Sequence, residues 1–291
     1  MQFLQIVVSG AALGCIYGLI ALGFVLIYKA TEAINFAQGE FMMLGAFLAF
    51  TATGILGLPY WIGVAAAIVL MALLGMFVER SILRPILGQP TFTVLMVTVG
   101  FGYVARGVAT MMPGWAGDTH ALAAPYKGET VKLSGLVLGM EHLVIIGTTA
   151  LLCAALYFFF RFAKVGIAMQ ASSQNQLAAY YMGIPVKRIN SLVWALSAVV
   201  AGIAGILVAP ITFVYANMGF LGLKAFPAAV VGGFGSIPGA IVGGLTIGVV
   251  EALAGRYLPE GFKDVAAYVV VLLMLMIRPN GLFGENLHKR V

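Results

Sequence analysis

The chain has 291 residues, of which 62% are apolar and only 9% are Asp, Glu, Lys or Arg, with a formal charge of +6. Soluble domains carry about 25% charged residues, and mean hydropathy here is +1.05. So few charges cannot cover a water-exposed globule, which excludes a soluble enzyme, a disordered chain and a nucleic-acid binder and leaves lipid as the solvent.

A helix that crosses the hydrocarbon core needs about 20 apolar residues, so this length holds at most about ten crossings. The first run, Phe3–Tyr28, lacks a basic start and exceeds the core of a signal peptide, which predicts a retained helix. Further spans are predicted at Phe41–Leu58, Tyr60–Val78, Phe92–Met112, Leu143–Phe160, Leu192–Val208, Ala225–Gly239 (broken), Ala240–Ala254 and Val265–Ile277. The fold class is therefore all-α, a single polytopic transmembrane bundle of about 8–10 spans with broken or re-entrant segments. Cys15 and Cys153 sit inside apolar runs and read as small core residues.

Orientation follows from the Lys/Arg tally. With the C-terminus in the cytoplasm, the inner side carries Lys29, Arg80, Arg84, Arg161, Lys164, Lys187, Arg188, Arg278, Lys289 and Arg290. The outer side carries Lys127, Lys132, Lys224, Arg256 and Lys263, a split of ten against five. Residues 113–142 then form an outer loop, with a small hairpin expected at Tyr126–Leu133. Residues 164–190 form a cytoplasmic loop with a helix from Gly166 to Met182. Phe77–Gly88 and Leu273–Gly284 both end a span with Arg-Pro. That echo fits a duplicated half, or simply the usual helix exit at an inner face.

Several features bear on function. Gly10, Gly14 and Gly18 recur on one helix face, as do Gly235, Gly239 and Gly243, a spacing that lets helix backbones approach closely. The run from Val230 to Gly244 holds Pro238 among glycines, which predicts a broken helix of the kind that lines solute paths. In Ala33–Phe41, Asn35, Phe36 and Gln38 precede an apolar span, with Glu32 and Glu40 expected near the inner face. That stretch reads either as a re-entrant path lining or as a turn whose Glu favours the helix dipole. Arg106 and Glu251 fall in apolar segments, which marks either function or charges snorkelling to the outer boundary. In the inner loop, Ile167, Ala171, Ala178 and Tyr181 share a helix face with Gln174 near it, and Ala178, Ala179 and Gly183 are small enough for another protein to dock. A solvated amphipathic linker is the competing reading.

There is no G-x-x-x-x-G-K-[ST] phosphate loop, no Cys/His metal spacing and no Ser-His-Asp constellation. The rival to a subunit worked by others is a self-sufficient secondary transporter or channel that uses Arg106 or Glu251.

Taken in order, Gly10–Tyr28, Ile34–Phe47, Glu79–Gly88, Ala178–Ile184, Val230–Glu251 and Arg278–Gly284 resemble the LivH-type permease subunits of bacterial ABC importers for branched-chain amino acids. The resemblance implies a multi-pass protein of the bacterial inner membrane that forms the translocation path for a small polar solute. Its implied partners are a second, related permease chain, two ATPase subunits that bind ATP and Mg, a periplasmic solute-binding protein, and membrane lipid. It further implies that a cytoplasmic helix with an Ala-Ala-x-x-x-Gly pattern, here Ala178, Ala179 and Gly183, docks on the ATPase. It leaves Ser236 beside Asn35, Phe36 and Gln38 as candidate path residues. The chain departs from the usual pattern at Gln170–Gln176, which lacks the common charges, and at Gln38, where relatives often have His.

Overall fold

The structure is a computed structural model that describes residues 2–86, 88–117, 119–133, 136–259 and 261–284. The described residues are almost wholly helical, as the composition requires, since backbone polar groups in lipid must be satisfied within the chain. Six helices are long and apolar enough to cross a membrane. They are α1 (Gln2–Thr31), α3 (Tyr60–Val78), α4 (Thr91–Met111), α5 (Met140–Phe162), α8 (Val186–Thr212) and α10 (Ile237–Tyr257). Two shorter helices, α2 (Gln38–Phe50) and α9 (Phe220–Gly232), have 13 residues each, and α11 (Phe262–Ile277) has 16. The remaining helices, α6 (Lys164–Gln174) and α7 (Gln176–Tyr181), belong to the loop after α5.

Strands β1 (Thr130–Leu133) and β2 (Leu136–Gly139) pair antiparallel. The hairpin therefore overlaps the expected segment Tyr126–Leu133 only through its first strand, because the Lys127–Gly128 region forms a turn and not a strand. Gln5 Nε2 donates to the Val137 carbonyl at 2.9 Å, so α1 begins at the hairpin. Gln176 Nε2 donates to the Ala30 carbonyl at 2.5 Å, so α1 ends at α7. These contacts define the two membrane faces, called here the hairpin face and the α7 face.

The core is built around α1 and α8. Their apolar windows are 89% and 78% buried, against 28% for α3 and α4 and 22% for α5. The peripheral helices turn their large side chains outward, as helices in lipid can. Close packing in the centre uses small residues. A Cβ on Gly10 would stand 2.7 Å from Ala252 Cβ, and one on Gly14 would stand 2.8 Å from the Gly244 carbonyl oxygen. Gly18 packs on Ile241, so the α1 stripe is an α10 contact. Gly239 and Gly243 lie on another side of α10, against Gly232 and Ala228 of α9. Gly235 does not join them. It sits in the turn before α10 with open space around it, and its carbonyl accepts a 2.9 Å hydrogen bond from Lys29 Nζ.

The expected break within residues 225–239 falls at residues 233–236, between the end of α9 at Gly232 and the start of α10 at Ile237. Pro238 occupies the first turn of α10, where a missing N–H costs nothing, and Ser236 caps that helix by accepting from Gly239 N at 3.1 Å. Two further discontinuities lie within the bundle. After α1 ends at the α7 face, residues 32–37 run back inward without helix. α2 then continues to the hairpin face, where Phe47 stacks on Trp115 and Phe50 on His120. After α8 ends at the hairpin face, residues 213–219 run inward, and α9 continues to the α7 face. There Val231 and Gly232 carbonyls accept from Leu282 N and Phe283 N at 2.8 and 3.1 Å.

The two half-helices start within the bilayer and meet there. Gln38, at the start of α2, packs on Gly23 of α1 and Ser197 of α8. These lie eight and eleven residues inside the α7-face ends of their helices, about 12 and 16 Å at the helical rise. Gly39 lies directly against Gly219 and Gly222, where a Cβ on Gly39 would strike the Gly219 carbonyl. Among the described residues, the only positive φ values outside glycine are Glu32 at 54° and Phe213 at 66°, the first residues after α1 and α8. The α1–α2–α3 and α8–α9–α10 units thus repeat with opposite direction in the membrane. The Arg-Pro echo does not follow this relation, since it matches the end of α3 to the end of α11.

Candidate functional site

The site grows from the start of α2. Asn35 Oδ1 accepts from Ala37 N at 3.1 Å, which turns the re-entrant chain into α2. Asn35 Nδ2 donates to Gln38 Oε1 at 3.3 Å, and Gln38 Nε2 donates to the Ser197 carbonyl at 3.3 Å. The Ser197 hydroxyl shares its proton between the Gly23 carbonyl at 3.0 Å and Gln38 Oε1 at 3.1 Å. Asn35, Gln38 and Ser197 are all buried, so this polar chain joins α1, α2 and α8 without water contact. Phe36 N donates to Thr98 Oγ1 of α4 at 3.2 Å, and the Phe36 ring stacks on Phe226 of α9 at 5.6 Å.

Glu40, in the first turn of α2, pairs with Arg106 of α4. Arg106 also lies 4.2 Å over the Phe220 ring, at the start of α9. Arg106 therefore does not snorkel, and Glu40 does not lie at the inner face. The pair closes the junction of the two half-helices from the side. Its carboxylate also stands at the positive end of α2.

Glu251 is likewise committed. It accepts from the Tyr17 hydroxyl at 2.7 Å and lies 3.5 Å from Lys224 Nζ, which also pairs with Asp264. Lys224 is consequently a residue of the first half of α9, half-buried, and its ammonium reaches Asp264 in the exposed first turn of α11. The group ties α1, α9, α10 and α11 together. A third ionic group sits at the α7 face. Arg84 donates to Glu79 through Nε at 3.2 Å and Nη2 at 2.8 Å, and Ser191 Oγ donates to Glu79 Oε2 at 2.6 Å. It fastens the end of α3 to the start of α8.

The structure brings Asn35, Phe36 and Gln38 together but leaves Ser236 apart, as the cap of α10. In the loop, the continuous helix expected from Gly166 to Met182 is split at Asn175, which adopts φ −157° and ψ 104°. Its side chain accepts from Ala178 N at 2.9 Å and so starts α7 afresh. Ala171 and Gln174 fall on α6, apart from Ala178 and Gly183 on the α7 side. Ala178 is exposed, but Ala179 is buried within the chain and presents nothing to a partner. The outward surface here is larger than the small residues suggest. Leu177, Tyr180, Tyr181 and Met182 are 65–83% exposed. Gly183 ends α7 at φ +83°.

Sequence reasoning missed Ser197, Tyr17 and, apart from Tyr181, the exposed α7 side chains. The hydroxyls of Ser197 and Tyr17 inside apolar helices were the available signal, because a buried hydroxyl must find a partner.

The sequence pattern described as "Branched-chain amino acid transport system / permease component" matches residues 6–278. The chain belongs to this permease family. It is 33% identical over 300 residues to the high-affinity branched-chain amino acid transport system permease protein LivH of Escherichia coli (strain K12), covering 98% of this chain and 96% of that protein. It is 31% identical over 301 residues to BraD, a permease protein of the same kind of system in Pseudomonas aeruginosa, covering 98% and 96%. A probable LivH permease of Methanocaldococcus jannaschii is 28% identical over 286 residues, covering 93% and 89%. The permease is thus a multi-pass membrane protein whose relatives are transport components.

Proposed function

We propose that this permease is the membrane gate of an ATP-driven importer for branched-chain amino acids, and that it performs no covalent chemistry itself. A second, related permease chain completes the path. Two ATPase subunits bind ATP and Mg, and a periplasmic binding protein delivers the solute. In the bacterial inner membrane the α7 face and the C-terminus are cytoplasmic, which agrees with the excess of Lys and Arg at that face.

The observation that carries this reading is the α7 knob. Leu177, Tyr180, Tyr181 and Met182 form a large exposed apolar surface on a loop flanked by polar residues, and such a surface marks a protein contact. Force applied there has a short route inward. Gln176 holds the last turn of α1 through the Ala30 carbonyl, and Ile184–Pro185 leads directly into α8. α1 and α8 are the two helices that feed the re-entrant segments. Closure of the ATPases would shift both together and separate α2 from α9 at Gly39 and Gly219. That is a two-state rearrangement of packed elements. The rival reading, a self-sufficient transporter that uses Arg106 or Glu251 as a substrate or proton site, loses support because both side chains are engaged by partners inside the chain.

Replacing Tyr181 and Met182 with Asp tests the docking. Both side chains are exposed, so the variant is expected to insert and fold normally. It should lose co-purification of the ATPase and lose uptake. Normal uptake with the ATPase still bound would contradict the reading.

A further inference from the structure

A cleft of about 690 Å³ opens between α1, α5, α6 and α10. Its walls are large apolar side chains, among them Leu22, Leu156, Ile241 and Val242, and its polar side chains, Arg161 and Gln170, lie where α5 meets α6. α5 has the lowest buried share of the six full-length helices, so the cleft opens on an outward face of the bundle. Arg161 is exposed and forms no ion pair among the described residues. A smaller adjoining cavity shares Phe160 and Gln170 with the cleft and adds Lys29, whose ammonium meets a carbonyl and no carboxylate. The cleft is thus apolar along its length and cationic at its α7-face end.

We propose that this cleft binds an anionic phospholipid from the leaflet at the α7 face, with an acyl chain along α5 and the phosphate at Arg161 and Gln170. The dimensions fit. Cys153 and Arg161 line its two ends, eight residues apart on α5, or about 12 Å. One leaflet's acyl region is half of a core about 30 Å thick. The walls favour a flexible chain over a helix of another protein. Helices in membranes pack through small residues, whereas the lining is mostly Leu, Ile, Val, Phe and Tyr. The glycine stripes of this chain are already spent on contacts between α1, α9 and α10. Two cations without carboxylate partners select a headgroup with net negative charge. Ile167 and Gln170 of α6 line the same cleft, so the lipid would brace the loop helix against α1 and α10.

The test uses the purified full chain, stripped of lipid, titrated with phosphatidylglycerol or phosphatidylcholine and weighed by native mass spectrometry. One phosphatidylglycerol should be retained several-fold better than phosphatidylcholine. Arg161→Gln should erase that preference, Val242→Trp should lower retention of both lipids, and Arg256→Gln at the hairpin face should change neither. Unchanged retention in the first two variants, or no preference in the parent, overturns the proposal. If Arg161→Gln does not accumulate, Tyr157→Trp fluorescence quenched by brominated lipids reads the same site. Stronger quenching by brominated phosphatidylglycerol is expected, and equal quenching by both lipids overturns the assignment. Cross-linking of Cys153 to a companion permease chain in membranes would give the cleft to a protein and also overturn it.

Discussion

Residues 32–37 leave α1 through Glu32, and residues 213–219 leave α8 through Phe213, each with the same rare positive φ. Each then runs inward and starts a half-helix, so the two backbones follow one course in opposite directions. Their side chains differ. The first segment and the half-helix it starts carry Asn35, Gln38 and Glu40, which bond to one another, to Ser197 of α8 and to Arg106 of α4. The second carries Met218 and Phe220, and its start is a single 3-10 turn, Ala216–Gly219, that offers Gly219 to α2. The first half-helix is fixed at its start by hydrogen bonds, whereas the second meets it through Gly219 and the Phe220 ring and takes its own ion pairs farther along, at Lys224. At the junction itself only the α2 side is fixed by hydrogen bonds, while the α9 side is anchored away from it, on α10 and α11.

The largest expected effect comes from breaking the contact between the two. Gly39→Val puts a Cβ into the Gly219 backbone, which cannot yield as a side-chain tip can. Loss of folded protein and of uptake is expected, read by membrane accumulation. Gly235→Ala, in open space, should match the parent. Equal behaviour of the two variants would dissolve the comparison. Next is the ion pair that holds the polar half-helix. Arg106→Met strands a buried Glu40 carboxylate and should cost about 3–5 kcal/mol, seen as a lower melting temperature in detergent. Adding Glu40→Leu should restore much of that loss. A double variant no better than the single one would show that the pair is not what fixes α2. The smallest effect tests the shared backbone turn. Glu32→Gly relieves a non-glycine residue at φ 54° and should stabilise by about 1 kcal/mol. A melting temperature below the parent's would assign Glu32 a side-chain role that outweighs its strain.

Much of this was legible in the residues. Apolar run lengths place the crossings, and the α1 stripe of Gly10, Gly14 and Gly18 does mark a close helix contact. The polar residues before Phe41 do begin a re-entrant stretch. What escaped depended on distant partners. Glu40 and Arg106 are 66 positions apart, and nothing in either apolar segment says that they meet. Pro238 is a breaker in the middle of a helix and harmless in its first turn, and the local pattern does not distinguish the two. Asn175 splits the loop helix because its side chain competes for Ala178 N, a choice that helix periodicity does not register.

The central claim is that this permease is a gate moved from its α7 face by separate ATPases. Reconstitution in vesicles tests it most directly. With the companion permease, ATPases and binding protein, ATP should drive uphill uptake of a branched-chain amino acid, and the chain alone should accumulate none. Uphill accumulation by the chain alone, under an ion gradient and without ATPase, would contradict the account.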